Sequence, residues 1–398
     1  MKVLIVNTDY QDFLVWLYTQ HPGLEERTYE EQLEARHASL FGVADFYSHN
    51  LRQLGHEAHD LYANNRCLQF AWMRDFGHAH SKSDSGDLLI ARLLGRARRF
   101  SSRWPLSYLN RLSRQIPWLA DPEHPAWFYE ILSRQIRHYR PDVLLNQDVA
   151  GIHPGFLKKM KPYIKLLVGQ HPAIELRMDP GLRCYDLMIS SFPPTLDAFR
   201  KHGLPAELNR LGFEPRILGR RPITRKTFDV TLVGSFHRIH RSRVAFVEAL
   251  LACLDCPERV KVWAPSIDHL PSASPIRRHY VGQAWGHQMY EILGSSKITL
   301  NHHGDVPSYA NNMRLYEATG VGALLITDWK SNLSEMFAPG TEVVTYHTAQ
   351  ECAGLIKYYL DNDPERVAIA REGQKRTLRE HTYLHRMQEF VDVVRKYL

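Results

Sequence analysis

The stretch NNMRLYEATGVGALLITD, Asn311 to Asp328, decides how the chain is read. It opens as a helix pattern, Gly320 and Gly322 stop that pattern, and ALLITD is a short apolar strand. Arg314 and Glu317 stand three apart and so share one helix face. The run just before it, ITLNHHGD, is a strand ending at His302 and His303. The helix therefore starts from the carboxyl edge of a sheet, where open α/β sheets bind ligands. Asn311 and Asn312 are placed to cap it. Two readings fit. One is an ordinary helix, turn and strand, with a surface ion pair worth about 0.3–0.5 kcal/mol. The other is a corner for a phosphorylated sugar: a carboxylate suits the two hydroxyls of a ribose, and a guanidinium suits a diphosphate. A dinucleotide fingerprint fails on order, because these glycines follow a helix and precede a strand.

Outward from that stretch, both halves of the chain repeat the same grammar. Val3–Val6 is a strand, a mixed helix pattern covers about 29–54, and HEAHDLYA is a second strand. The loop after the first strand is long, about 9–27. DVLLNQD, IKLLVGQH and YDLMISS are buried parallel strands between helix patterns. They end in polar groups: Gln147 and Asp148, Gln170 and His171, Ser190 and Ser191. Residues 214–228 are basic and carry no apolar period, as a linker between domains would. A second series then runs from FDVTLVGSF through RVKVWAP and ITLNHHGD to ALLITD and EVVTYH, again alternating with helices. The fold class is α/β with two doubly wound, Rossmann-like domains.

Composition bounds the rest. The 398 residues suit two domains, and 44% hydrophobic with 23% charged is ordinary for a globular protein. The start, MKVLIVNTDYQDF, is not a signal peptide, and no apolar run reaches the length of a membrane span. A cytoplasmic protein is the expectation. Five cysteines, an odd number, argue against a disulfide framework, and the single CxxC of Cys253 and Cys256 lacks a second pair for zinc. A net charge of +7 favours anionic partners.

Further candidates are weighed against plain readings. The turn VGSFHRIHRSR joins a strand to a helix: Gly234 admits a close ligand, Ser235 can cap the helix or meet a phosphate, and Arg238, Arg241 and Arg243 add charge. Its plain reading is a tight turn with solvated arginines, and it has neither Walker nor GxGxxG spacing. The histidines of HAH, HRIH and HH have no carboxylate set at ligand spacing, so no metal is expected. His171 ends a buried strand where a general base or sugar ligand could sit. Residues 92–119 hold seven arginines and no acid, interleaved with Leu, Phe, Trp and Tyr. They suit an anionic membrane surface, an acidic acceptor, a nucleic-acid patch or a basic outer face.

From about residue 230 to 390 the chain resembles the C-terminal half of group 1 glycosyltransferases, and most of all the CgeB-like, spore-maturation-type branch. The motifs are N-x-R-x-x-E at 312–317, the Gly-Ala-x-x-I-T strand, F-x-x-G-x-E, and a closing H-T-Y-x-x-R. The resemblance implies a GT-B fold: an acceptor domain over 1–215, a nucleotide-sugar donor domain over 228–383, a cleft between them, and a helix at 384–398 returning to the first domain. It implies that Glu317 binds the ribose, and that Gly234, Ser235, Arg238 and Arg314 face the diphosphate or donor sugar. YVGQAWG resembles the loop that meets the base, which brings in Gln283 and Ala284, while His302 and Asn312 join the donor set. His171 matches the histidine that ends a first-domain strand at the transfer site, with Asp148 as the other candidate there. Many relatives carry a second glutamate eight residues before the ribose-binding one, and here that position is Tyr309. The expected activity is metal-free transfer of a sugar from a nucleotide-sugar to a glycan, lipid-linked or other acceptor. A nucleotide-sugar epimerase or hydrolase shares the fold, and a basic protein binding nucleic acid or anionic surfaces is the non-enzymatic rival.

Overall fold

The computed structural model describes residues 1–77, 124–171, 179–220, 225–237, 240–305 and 308–398. The basic stretch 92–119, Arg238 and part of the expected linker lie outside the described residues. The chain divides into two units: Met1–Ala38 with Tyr47–Leu208 and Phe390–Leu398, and Ser39–Phe46 with Asn209–Glu389.

Unit 1 holds strands β1 (Lys2–Asn7), β2 (Glu57–Tyr62), β3 (Val143–Asn146), β4 (Leu166–His171), β5 (Leu187–Ser190) and β6 (Ala206–Leu208). Their order is β2-β1-β3-β4-β5-β6, and every pairing is parallel. The strands are apolar because helices bury the sheet. Leu4, Leu144, Leu167 and Met188 pack with Phe128, Phe156 and Phe199 of helices Ala126–Tyr139, Pro154–Met160 and Pro193–Lys201. The strand order reverses between β1 and β3, so the crevice beyond their ends is the topological switch point.

Unit 2 holds β7 (Phe228–Val233), β8 (Val260–Trp263), β9 (Tyr280–Gly282), β10 (Ser296–Asn301), β11 (Leu324–Asp328) and β12 (Val344–Tyr346). The order β12-β11-β10-β7-β8-β9 is again all parallel and reverses between β7 and β10. Val230, Leu232, Val262, Ile298, Leu300 and Ile326 are the centre of its core.

Several local expectations are corrected. The helix pattern over 29–54 is two helices, Tyr29–Ala38 and Phe46–Gln53. Between them Leu40, Gly42 and Ala44 take positive φ of 58°, 61° and 38°, which no helix tolerates. This break belongs to unit 2. There the Ser39 carbonyl accepts from the His287 amide at 2.8 Å, and Phe41 meets Trp285 edge-on at 5.1 Å. Asp45 takes both Nη atoms of Arg216 at 2.9 and 3.0 Å. Gly286 is required for this stitch, because a Cβ there would lie 1.9 Å from the Ser39 oxygen. The long loop after β1 contains helix Gln11–Gln20. Residues Arg216–Arg220, inside the expected linker, form a short helix.

Candidate functional site

In unit 1 the switch point is finished in amides and hydroxyls. Thr8, just past β1, donates through Oγ1 to Asp148 Oδ2 at 2.8 Å, spanning the crevice between β1 and β3. Asp148 is held by the Gly151 amide at 2.9 Å, and a Cβ on residue 151 would lie 2.2 Å from Oδ2. Asn146 donates to the Tyr185 hydroxyl at 2.6 Å. One strand over, Gln147 donates to Gln170 at 2.9 Å, and Gln170 to the Tyr47 hydroxyl at 3.0 Å. His171 is the buried last residue of β4, its ring edge-on to Phe199 at 5.6 Å. Asp148 and His171 thus stand at the ends of neighbouring strands. A full charge pair lies deeper: Arg36 and Asp9 meet at 2.7 Å with side chains 1% and 2% exposed. The Arg36 guanidinium lies 4.6 Å from the Phe13 ring centre and 4.3 Å from that of Tyr62.

In unit 2 the switch point is cationic. Arg243 lies on helix Arg241–Cys253 and crosses from β7 to β10. Its Nη1 donates to the Ser235 carbonyl at 2.7 Å, and Nε and Nη2 donate to the His302 carbonyl at 3.1 and 2.9 Å. Among the described residues no carboxylate pairs with it. Burial, and then the like charge of Arg314, pull its pKa down to about 10. Arg314 pairs with Glu317 at 2.7 Å, side chains 12% and 6% exposed, so this is not the surface pair of the plain reading. Burial raises the Glu317 pKa, while Arg314 and a hydrogen bond from Tyr290 oppose the rise. Arg314 Nε and Asn312 Oδ1 are buried and have no hydrogen-bond partner among the described residues.

The other candidates fall around this edge. Asn312 does not cap helix Arg314–Gly320, whose N-cap is Met313 without a side-chain bond. Asn312 instead donates to Asn301 Oδ1 at 2.8 Å. Ser235 is not at a helix start either: its Oγ accepts from the His237 amide at 3.1 Å, and the helix begins at Arg241. The amides of Arg241 and Ser242 bond the Asp305 carboxylate at 3.2 and 3.0 Å. Gly234 lies beside Arg243, with a Cβ position 3.5 Å from Nη1. His302 accepts from the Gly304 amide through Nδ1 at 3.0 Å and stacks on Phe246 at 4.8 Å. Burial pulls its pKa down to about 4. Gln283 and Ala284 sit past the end of β9, the edge strand. The Gln283 side chain bridges Pro265 O at 2.6 Å and Trp285 Nε1 at 3.0 Å.

One cluster was missed in sequence. His303 Nδ1 donates to Asp328 at 2.6 Å, and Lys330 reaches the other carboxylate oxygen at 3.1 Å. Burial works against the charged Asp328, yet His303, His302 and Lys330 hold its pKa far below the usual carboxylate range. Only the neighbouring of β10 and β11 brings these residues together; the HH and ITD motifs alone do not. Among the described residues no group of three or more His, Cys, Asp or Glu is arranged to hold a metal. None of the described helices is long and apolar enough to cross a membrane.

Comparison with known proteins follows the same line. A family model described as Glycosyl transferase-like matches residues 239–392. No curated protein matches the chain. Among solved structures, a glycosyltransferase of Rickettsia africae is similar, with TM-score 0.57 and 10% identity, covering 100% of this chain and 98% of that one. Anabaena Alr3699/HepE, solved with UDP-glucose, has TM-score 0.54 and 11% identity over 100% of both chains. AviGT4, a glycosyltransferase of avilamycin A biosynthesis, has TM-score 0.53 and 15% identity over 100% and 98%. At these identities the likeness is one of fold. Two parallel six-stranded sheets dressed with helices make this an α/β protein with the fold of the GT-B glycosyltransferases.

Proposed function

We propose that the chain is a glycosyltransferase that moves a sugar from a nucleotide-sugar to a glycan, lipid-linked or other acceptor, and that it belongs to the CgeB-like branch. The observation that carries this is Arg243. A mostly buried guanidinium, hydrogen-bonded only to carbonyl oxygens, beside a second arginine and offset only in part by the fields of Asp328 and Asp305, suits a further anion. It lies at the crevice where doubly wound sheets take nucleotides. The family match over 239–392 and the Anabaena structure with UDP-glucose support the same reading.

In this reading Arg243 and Arg314 meet the diphosphate and stabilise it as it leaves, which is what a metal-free reaction requires. Glu317 binds the ribose, held in place by Arg314 and Tyr290. Gln283 and Ala284 meet the base with backbone groups, since the Gln283 amide is already engaged. Unit 1, residues 1–215 in the sequence reading, takes the acceptor, with His171 and Asp148 facing the reacting sugars. The enzyme works in the cytoplasm, with 92–119 meeting the membrane's inner face.

A thermal-shift panel of nucleoside diphosphates tests this. One of them is expected to stabilise the protein, by about 2.7 kcal/mol at a hundredfold excess over its Kd. The shift is expected to vanish in Glu317→Ala and in the gentler Glu317→Gln. No shift from any nucleotide would sink the reading. Release of free nucleoside diphosphate that depends on an acceptor separates a transferase from an epimerase or hydrolase.

A further inference from the structure

β11 runs into Asp328-Trp329-Lys330. Asp328 and Lys330 are buried, 8% and 9% exposed, and pair with each other at 3.1 Å. In extended chain, when two residues one apart turn inward, the residue between them turns outward. That residue is Trp329, 48% exposed. The backbone here is still strand-like, for the Trp329 amide donates to the Tyr346 carbonyl at 2.9 Å. The indole lies against the His347 ring, centres 5.5 Å apart and planes at 28°. His347 follows the end of β12, so both rings stand at the carboxyl edge of the sheet.

The chain beyond Trp329 is also fixed. Ser331 donates its amide and hydroxyl to the Ser308 carbonyl at 3.2 and 2.8 Å. The Asn332 side chain takes the Ala310 amide at 2.6 Å and gives to its carbonyl at 3.2 Å. These bonds tie the tryptophan's loop to the one that carries Tyr309. The result is an aromatic face open to water on a tethered stretch of backbone, beside the strand whose end carries the His302 carbonyl bound by Arg243. Leaving such a face solvated forgoes apolar burial, unless a ligand with an apolar face and polar rim covers it. A pyranose ring has that form: C–H bonds on its faces and hydroxyls around its edge.

We propose that Trp329, backed by His347, is a stacking platform for a pyranose ring of the donor sugar or the acceptor glycan. This rests on the glycosyltransferase reading and adds a sugar subsite within unit 2. The test uses the full-length protein, Trp329→Ala, Trp329→Phe and His347→Ala, with UDP, UDP-glucose and maltose as probes. If the donor sugar stacks, UDP binds all variants equally, while Trp329→Ala weakens UDP-glucose by about five- to tenfold and Trp329→Phe restores most of it. If the acceptor stacks, both nucleotide affinities stay unchanged, and maltose shifts the Trp329 indole N–H resonance of the UDP-loaded protein. The proposal is overturned if neither sugar effect is seen, or if Trp329→Ala weakens UDP and UDP-glucose alike. If the wild type binds neither UDP nor UDP-glucose, the nucleoside diphosphate panel decides the transferase reading by itself, and the maltose titration of the free protein still decides the platform.

Discussion

At the carboxyl edge of the first sheet the side chains are amides, hydroxyls, one imidazole and a carboxylate held by Thr8 and Gly151. At that of the second sheet they are guanidiniums and imidazoles around a carboxylate far easier to ionise than usual. The two sheets have the same strand count and each reverses order once, so topology does not separate them. What differs is how buried charge is settled. In unit 1 Arg36 is paired with Asp9; in unit 2 the buried Arg366 and Arg386 are likewise paired, with Asp363 and Glu389, but at the switch point Arg243 hydrogen-bonds carbonyls alone. On the proposed function, the first edge suits hydroxyl-rich acceptors and the second suits a diphosphate.

The sharpest way to break that contrast is to remove each arginine. Arg36→Ala strands the Asp9 carboxylate in the core and is expected to cost about 3–5 kcal/mol of unit 1 stability, read by chemical denaturation. Nucleotide affinity in the surviving folded protein should hold. Arg243→Met is expected to do the reverse, weakening nucleoside diphosphate binding by about 10–100-fold, as loss of hydrogen bonds to a charged group does. Equal losses of affinity in the two variants would erase the distinction.

A smaller effect concerns acid. His240, His302 and His381, all in unit 2, have pKa values drawn down to about 4, chiefly by burial. His381 shows why. Its Nδ1 accepts from Arg386 at 2.7 Å, so the ring must stay neutral and give its Nε2 proton to the Met336 carbonyl at 2.8 Å. A histidine whose folded pKa is depressed contributes stability above its unfolded pKa of about 6.5, lost as pH falls toward the folded value. In unit 1 burial lowers the pKa of His56 as well. Hydrogen exchange from pH 6.5 down to 4 should therefore show protection lost first in peptides of 225–389. Earlier loss in 124–208 would contradict this.

The sequence exposed the strands well, because a parallel strand buried on both faces must be a short apolar run ended by a polar residue. The Arg314–Glu317 pair was legible for a similar reason: a spacing of three on a helix fixes adjacency without tertiary knowledge. Three features were not legible. Arg243 and Arg238 look alike in the turn, and only the position of β10 beside β7 shows that residue 243 spans the switch point. The His303–Asp328–Lys330 cluster needs β11 beside β10. The expected caps Ser235 and Asn312 are side chains with nearer partners, and local propensity does not rank those. Nor does the sequence show that Gly320 faces the ring of Phe213, where a Cβ would fall 2.4 Å from ring carbons.

The stitch at Gly286 has a consequence for the chain's birth on the ribosome. Ser39–Phe46 belongs to unit 2, and the glycine that receives Ser39 is roughly 250 residues downstream, about 10–50 s later at ordinary rates of synthesis. During that interval Phe41 has no Trp285 to meet, and Asp45 waits a shorter time for Arg216. The early helices on either side can form at once, but these contacts of the segment between them wait until Arg216 and the 285–287 stretch have been made. Completion of unit 2 is thereby ordered in time, and release of a truncated chain would leave Phe41 and Asp45 without Trp285 and Arg216.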